Sequence, residues 1–534
     1  MKRQPAFLES RKFDLLVVGG GITGCAIARD AVMRGLSVAL VDKDDFASGT
    51  SSRSSKLVHG GLRYLEHGAL GLVRESCRER QRLLQLAPHL VKPLAFLLPY
   101  SRGSGWPLYP ILRTGLYMYD IFAGGTRIGF HHGMSATELF RREPALAGGT
   151  STAGAIYYDA VMDDARVALE VALGASMAGA VLINHAGVTG FLRGTGNRIE
   201  GATVRDLPGA KDHTVRARLT VNASGPWGDE ILRMAGREGP PVLRPTKGVH
   251  LIMKEPLTTH ALIVRAREDK RVFFVIPWQG LTIIGTTDTD YSGDINDIRA
   301  DENDIAYLLA QATAVMPGVR VRREDILCAY AGVRPLLAGD PSHPSATSRE
   351  HRIFEEPKGL LSVLGGKYTT FRAMAEQAVD RAQQILGMRR TSSPTRGASL
   401  PGAEPGIAID EGWLAEQTVK EPDMQMKRLT SIYGSRAGAV LETAIRMPGG
   451  FTPLCPHTSR TRAEVAFAVQ EEMAFTLTDI LERRLRLALT CSCRGRDAVD
   501  SAAETAGPLL GWDGAEKKKH IEHYLNKLEA SRIR

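Results

Sequence analysis

Three glycines near the start of the chain, Gly19, Gly21 and Gly24, stand in the spacing G-x-G-x-x-G, and Asp42 follows 18 residues after the last of them. These residue types at this spacing bind a dinucleotide. Gly19 permits a sharp turn, Gly21 lets backbone amides approach a pyrophosphate, and Gly24 lets a helix pack closely on its strand. The helix N-terminus faces the anion, and the acid at position 42 accepts the hydroxyls of an adenosine ribose. The fingerprint alone leaves NAD and FAD open. The next stretch narrows the choice. Thr50, Ser51, Ser52, Ser54, Ser55 and Lys56 form an extended hydroxyl-rich run leading to His59 and Gly60. Such a run offers donors to a long ligand lying across strand ends, as FAD does. Gly194-Thr195-Gly196 lacks the third glycine and the helix, so no separate nicotinamide domain is expected. A flavoenzyme with one nucleotide fold takes electrons from a reduced substrate and passes them to a diffusing acceptor.

The elements that must position these residues follow from pattern. A buried strand over 13–17, a helix over 22–34 and a strand over 37–41 carry the fingerprint. A helix is expected over 71–86. The apolar stretch 90–122, with prolines at 93, 99, 107 and 110 and Pro88 just before it, is not one spanning helix; it suits a membrane-surface contact or the core of a substrate domain, and core is favoured. A strand ending at Ala223-Ser224-Gly225 returns to the nucleotide edge, and 251–285 has the pattern of an antiparallel sheet. Residues 360–364 form another strand running into Gly365-Gly366-Lys367 and a helix over 370–386. The Pro/Gly/Ser-rich stretch after Gly387 marks a boundary near 400, with a helical tail beyond it whose Met473, Leu477, Ile480, Leu481 and Leu485 form a core stripe. The fold class is therefore α/β: a Rossmann-type FAD-binding domain (1–95, 155–230 and 335–390) interleaved with an antiparallel-sheet substrate-binding domain (96–154 and 231–334). An all-α C-terminal domain (400–534) completes it.

Composition bounds the rest. With 534 residues and 43% hydrophobic content, the chain is an ordinary globular protein of several domains. Its six cysteines are scattered without zinc-ligand spacing, which favours a reducing compartment; Cys491 and Cys493, without a second pair nearby, are read as incidental thiols over a redox pair or metal ligands, and no metal is expected. No signal peptide and no run of 18 or more apolar residues is present, so a cytoplasmic location is expected. The net charge of +9 suits anionic substrates, an anionic membrane surface or nucleic acid.

The segments GGGITG, TSSRSSKLVHGGLRYLEHG, NASGPW, TKGVHL, FVIPW, IIGTTDTDY, YAGVRPL and GGKYTTFR, in that order, resemble the FAD-dependent (aerobic, respiratory) glycerol-3-phosphate dehydrogenase family. The tail segments EEMAFTLTDILERRLRLAL and LGWD are similar to that family's C-terminal cap, so the resemblance covers nearly the whole chain. Asp42 stands where the family more often has Glu. The resemblance implies FAD on Gly19, Gly21, Gly24, Asp42, Thr50, Ser51, Ser52, Ser55, Lys56, His59, Gly60, Ala223, Gly225, Gly365, Gly366 and Lys367. It also implies a substrate pocket of Arg63, Tyr64, His250, Arg334, Lys367 and Thr369. Glycerol 3-phosphate is a near-dianion, and fixed cations at glycine-rich junctions are the direct way to hold it. Oxidation to dihydroxyacetone phosphate removes a hydride from C2 and a proton from its hydroxyl, which needs a base. His59 and His250 titrate in the right range, and Lys247 or Lys367 serves if nearby positive charge lowers its pKa. His59 is favoured, lying in the loop that reaches toward the ring, so the catalytic set is His59, Arg63, Arg334 and Lys367. Thr286, Thr287 and Asp288, at the end of a substrate-domain strand, order the pocket or form a structural turn.

The expected acceptor is a membrane quinone, with the enzyme peripheral on the anionic inner face of the cytoplasmic membrane; a homodimer is compatible with this. An oxidase using oxygen is the close alternative. A flavin-containing RNA-binding or regulatory protein is a different class, disfavoured because no basic run is interleaved with aromatics; no nucleic-acid partner is expected.

Overall fold

The structure, a computed structural model, describes residues 1–534 apart from 66–67, 104, 106, 124–127, 340–349, 405–421 and 532–534, and apart from the side chains of Arg63, Pro422 and Asp423. Its first sheet runs in the order Leu360–Gly365, Lys211–Asn222, Phe13–Val18, Val38–Val41, Val181–Ile183, with these strands parallel. Phe13–Val18 is buried on both sides, which explains its nearly unbroken apolar run. Leu15 and Val17 pack with the helices Ile22–Met33, Asp164–Met177 and Phe371–Ile385. Phe13, Leu16 and Val18 pack with an antiparallel hairpin, Ala186–Arg193 and Ile199–Asp206, on the opposite face. Strand Lys211–Asn222 joins the two arrangements. Its first half pairs with that hairpin and its second half with Phe13–Val18.

The second sheet is mainly antiparallel. Leu243–Met253 pairs with Ile326–Leu337 along nearly its whole length and with Leu281–Gly285, and Val272–Trp278 joins Leu281–Gly285 to Ala261–Arg265. The chain enters this sheet earlier than the sequence pattern placed it. Leu57–Val58 and all of Val91–Tyr100 and Ala153–Met162 belong to it, including 91–95 and 155–162, which the pattern put in the nucleotide domain. Prolines 93 and 99 disguised the long strand. Its other neighbour, Ala261–Arg265, meets it only at Phe96 and Leu97, so neither proline interrupts that pairing.

Part of the proline-broken region also departs from a simple core assignment. Helix Tyr109–Ala123 buries Leu112, Leu116 and Tyr119, but Leu108, Ile111, Tyr117, Ile121 and Phe130 are each more than half exposed. No described helix is long and apolar enough to cross a membrane.

The stretch beyond 390 is docked, not free. Arg29 donates to the carbonyls of Ala398 (3.0 Å) and Ser399 (2.7 Å), Thr395 bonds Asp30, and the Leu400 amide donates to the Leu86 carbonyl. The tail beyond it is helical among the described residues, with Leu477, Ile480, Leu481 and Leu485 fully buried in its core and Met473 packed against the nucleotide domain.

Candidate active site

The glycine turn is built as its spacing requires. Gly19 has φ +111°, and a Cβ there would meet the Ala223 carbonyl oxygen at 2.6 Å. A Cβ on Gly24 would lie 1.9 Å from the Gly19 oxygen, so this helix approaches its strand only without a side chain. Gly21 is the N-cap, and Ser51 Oγ accepts from the first helical amide, Ile22, at 2.9 Å. Asp42 accepts from the Gly20 and Asp44 amides, the latter at 2.8 Å. Burial nonetheless pushes its carboxyl up to about 6.

One cavity starts between these groups. Gly19, Gly21, Asp42, Thr50, Ser51, Ser55, Ala223 and Gly225 line it, and so do His59, Tyr64, His250, Arg334, Gly365, Gly366, Lys367 and Thr369. Residues scattered over 350 positions of sequence therefore face one space. Gly365 and Gly366, with φ +81° and +92°, turn the chain from its strand toward the helical stretch that starts at Tyr368. Beside that turn Lys367 Nζ sits 3.4 Å over the Tyr64 ring, and the His59 amide donates to Thr369 Oγ1 at 3.2 Å. The His59 ring meets Phe274 edge-on at 6.2 Å.

Arg334 is held in place from behind. Its guanidinium donates to Thr286 Oγ1 (2.8 Å), the Thr287 carbonyl (3.0 Å), Asp288 Oδ1 (3.0 Å) and the Lys247 carbonyl (3.3 Å). Thr286, Thr287 and Asp288 thus order the pocket by fixing a cation. His250 is stacked on Tyr330 at 4.9 Å and its Nε2 lies 2.8 Å from Ser55 Oγ. Burial, with Arg334 and Lys56 nearby, holds its pKa well below the ordinary histidine value, so the ring stays neutral at physiological pH.

Residues 14–381 match the family model described as FAD dependent oxidoreductase, and 393–517 match the C-terminal domain of alpha-glycerophosphate oxidase. Glycerol-3-phosphate dehydrogenase 2 of Mycobacterium tuberculosis (strain ATCC 25618 / H37Rv) is 39% identical over 98% of this chain and 89% of its own length. The chain belongs to the FAD-dependent glycerol-3-phosphate dehydrogenase family. Glycerol-3-phosphate dehydrogenase of Synechocystis is 36% identical over 98% of both chains. The solved structure of a family member from Bacillus halodurans, complexed with FAD, superposes with a TM-score of 0.81 at 28% identity, covering 99% of this chain and 98% of that one. FAD is the cofactor of this family, and the cavity fits it: bare glycine backbone at Gly19 and Gly21, a helix N-terminus at Ile22, and a hydroxyl-lined path toward Gly365, while Gly24 serves the packing of that helix on its strand and does not line the cavity.

Not every residue matched to the family's motifs faces that cavity. Lys56 is fully buried, its Nζ 2.7 Å from Asp164 Oδ1 and 3.0 Å from the Ser52 carbonyl, and burial brings its pKa down to about 8. It holds the loop and does not touch the cofactor space. Gly60 donates to Asp159 Oδ1 at 3.2 Å and packs on Cys77 and Tyr119, and Ser52 turns its hydroxyl to the Gly49 carbonyl. Lys247 is paired with Asp301 and Asp304, which raises its pKa and removes it from the candidate bases. The Arg63 side chain lies outside the described residues.

Sequence reasoning missed the groups that brace the cofactor loop. Asp164 ties Lys56 to the Ser54 hydroxyl (2.7 Å) and to Arg486 of the tail (3.3 Å). Asp45, fully buried three residues after Asp42, accepts from Arg483 Nε (2.6 Å), Arg484 Nη2 (2.9 Å) and Asn184 Nδ2 (3.0 Å). The signal was the run RRLR, whose charges sit within an apolar helical stripe and need buried acids as partners.

Proposed function

We propose that this chain oxidises sn-glycerol 3-phosphate to dihydroxyacetone phosphate and delivers the electrons to a membrane quinone. The observation that carries the proposal is that one cavity has a dinucleotide cradle and also His59, Tyr64, Arg334 and Lys367. FAD, when bound, supplies the hydride acceptor. Arg334 and Lys367 bind the phosphate, and the backing of Arg334 by Thr286 and Asp288 keeps its position fixed as the substrate enters. His59 accepts the C2 hydroxyl proton on an imidazole nitrogen. His250, kept neutral by burial, orients Ser55 and offers an uncharged wall.

Delivery to a quinone is supported by the apolar face of helix Tyr109–Ala123. Leu108, Ile111, Tyr117 and Ile121 are exposed on or beside it, as is Phe130 seven residues past its end, and exposed apolar residues of this kind seat a protein in the headgroup region without spanning the bilayer. This apolar face and the absence of a membrane-spanning helix among the described residues support a peripheral seat on the inner face of the cytoplasmic membrane. Anaerobic addition of glycerol 3-phosphate to the FAD-loaded protein, without NAD, tests the reaction. Prompt bleaching of the flavin spectrum is expected, and an unchanged spectrum rejects it. Reoxidation by a soluble quinone should far outpace reoxidation by air; the reverse would make the chain an oxidase.

A further inference from the structure

The tail domain contains three thiols that the redox chemistry does not use. Cys455, Cys491 and Cys493 are all unbonded, with Cys455 and Cys491 buried and Cys493 half-buried. The fold brings Cys455 to a pair 38 residues away: its Sγ is 3.7 Å from Cys493 Sγ, which is 3.3 Å from Cys491 Sγ. All three sulfurs lie within 4.8 Å of one another. Zinc–thiolate bonds of about 2.3 Å at tetrahedral angles place sulfurs about 3.8 Å apart, so the spacing is that of a zinc-sized ion's ligands.

The backbone holds both segments in tight turns. The Leu454 amide donates to the Arg460 carbonyl at 2.9 Å, Pro453 and Thr461 bridge, and the Thr458 amide donates to the Cys455 carbonyl at 3.3 Å. On the other side the Arg494 and Arg496 amides donate to the Cys491 and Cys493 carbonyls at 2.8 and 2.9 Å, with left-handed backbone at Arg494 and Gly495. Two short turns that present sulfur to a common point are the frame of a structural zinc site. A second group of potential ligands, Asp45, His185 and Asp479, differs in having its carboxylates already answered by Arg483 and Arg484.

We propose that Cys455, Cys491 and Cys493 hold a structural zinc ion that fastens the turn before helix Arg462–Glu472 to the turn before helix Val499–Leu510. Cys493, the most open of the three, marks the entry side. A tetrahedral ion bound by three thiolates keeps one further place. His457 meets the cluster through its carbonyl, which accepts from Cys491 Sγ at 3.6 Å, while its imidazole pairs with Asp497 at 3.1 Å, which leaves the fourth place to water. The sequence alone showed only Cys491-x-Cys493 without a second pair, and the fold supplies one further thiol, Cys455.

The experiment is elemental analysis of the full-length, FAD-loaded protein purified under reducing conditions. About one zinc per chain is expected. It should leave when an organomercurial titrates the thiols, and Cys493→Ser should lose it while keeping the wild-type FAD ratio. Because that variant could unfold, the wild-type chain is also loaded with cobalt after zinc removal, and strong thiolate-to-cobalt charge-transfer absorption is expected. Absence of both zinc and the cobalt signature in reduced protein overturns the proposal. So does zinc that persists in a Cys455→Ser, Cys491→Ser, Cys493→Ser triple variant. Iron with acid-labile sulfide in its place, or a disulfide among these cysteines in protein isolated without oxygen, overturns it equally.

Discussion

Asp45→Asn tests whether the helical tail braces the cofactor loop. The substitution keeps the shape of the side chain and removes the charge facing Arg483 and Arg484, both buried. Arg484 is then left mainly with the Glu472 carbonyl, at 2.8 and 3.3 Å, and Arg483 with Asp479. Removing one partner of a buried ion pair costs about 3–5 kcal/mol, because the remaining charge stays out of water. At about 2–4 °C per kcal/mol for a domain of ordinary size, melting should fall by about 6–20 °C. The assay follows release of flavin by its fluorescence during heating, beside circular dichroism. Flavin should leave at the lowered temperature, since Asp45 lies between Asp42 and the hydroxyl run that lines the cavity. Arg484→Met should behave alike, and the double variant should lose less than the sum of the two by roughly 0.5–3 kcal/mol. Flavin release within about 2 °C of wild type in Asp45→Asn would refute the bracing role.

Arg334→Ala should keep FAD and raise KM for glycerol 3-phosphate roughly 10- to 150-fold, the worth of a charged hydrogen bond; bleaching titrations at low substrate read this directly. His59→Asn should lower the bleaching rate by roughly 100- to 10,000-fold with little change in FAD content, measured by stopped flow. Replacing Ile111, Tyr117 and Ile121 together by Ser should abolish binding to anionic vesicles in flotation, while activity with a soluble quinone stays at the wild-type level. Glu464 and Glu472 are held at about 2 instead of 4.5: burial raises them, and Arg428 with Arg460, or Arg166 with Arg436, outweighs it. Because their folded pKa values are lowered, this stability is complete above pH 4.5 and is lost as pH falls toward 2, roughly 3 kcal/mol for each. Acid titration by circular dichroism should show the tail melting in that window.

The nucleotide half was legible because its signals are local. Gly19 has a left-handed φ of +111°, Gly24 lets its helix approach the Gly19 carbonyl, and Asp42 follows at the end of the next strand, all within 24 residues, although Gly19 must also clear the distant Ala223 carbonyl. The cations were legible only in part. Arg334 and Lys367 sit at glycine junctions and face the cavity, but Lys56, expected on the cofactor from its place in the hydroxyl-rich run, turns inward, because its partner Asp164 comes 108 residues later. Long-range ion pairing of this kind leaves no mark on periodicity. Nor does the strand Val91–Tyr100 announce itself, since its prolines are harmful only where a neighbour needs their missing N–H. The thiol cluster is the same lesson for ligands: spacing along the chain hides what a turn of helix and a loop bring together.

The Asp45 clamp also bears on how the molecule is assembled. Asp45 emerges from the ribosome 438 and 439 residues before the two arginines that neutralise it. Domains form in order as a chain is synthesised, so the glycine turn and its first strands can pair while this carboxylate still faces water. A nascent chain halted before Arg483 would present the adenosine end of the cradle with its loop unfastened. A chain cut short before Arg483 should therefore hold flavin poorly despite an intact fingerprint.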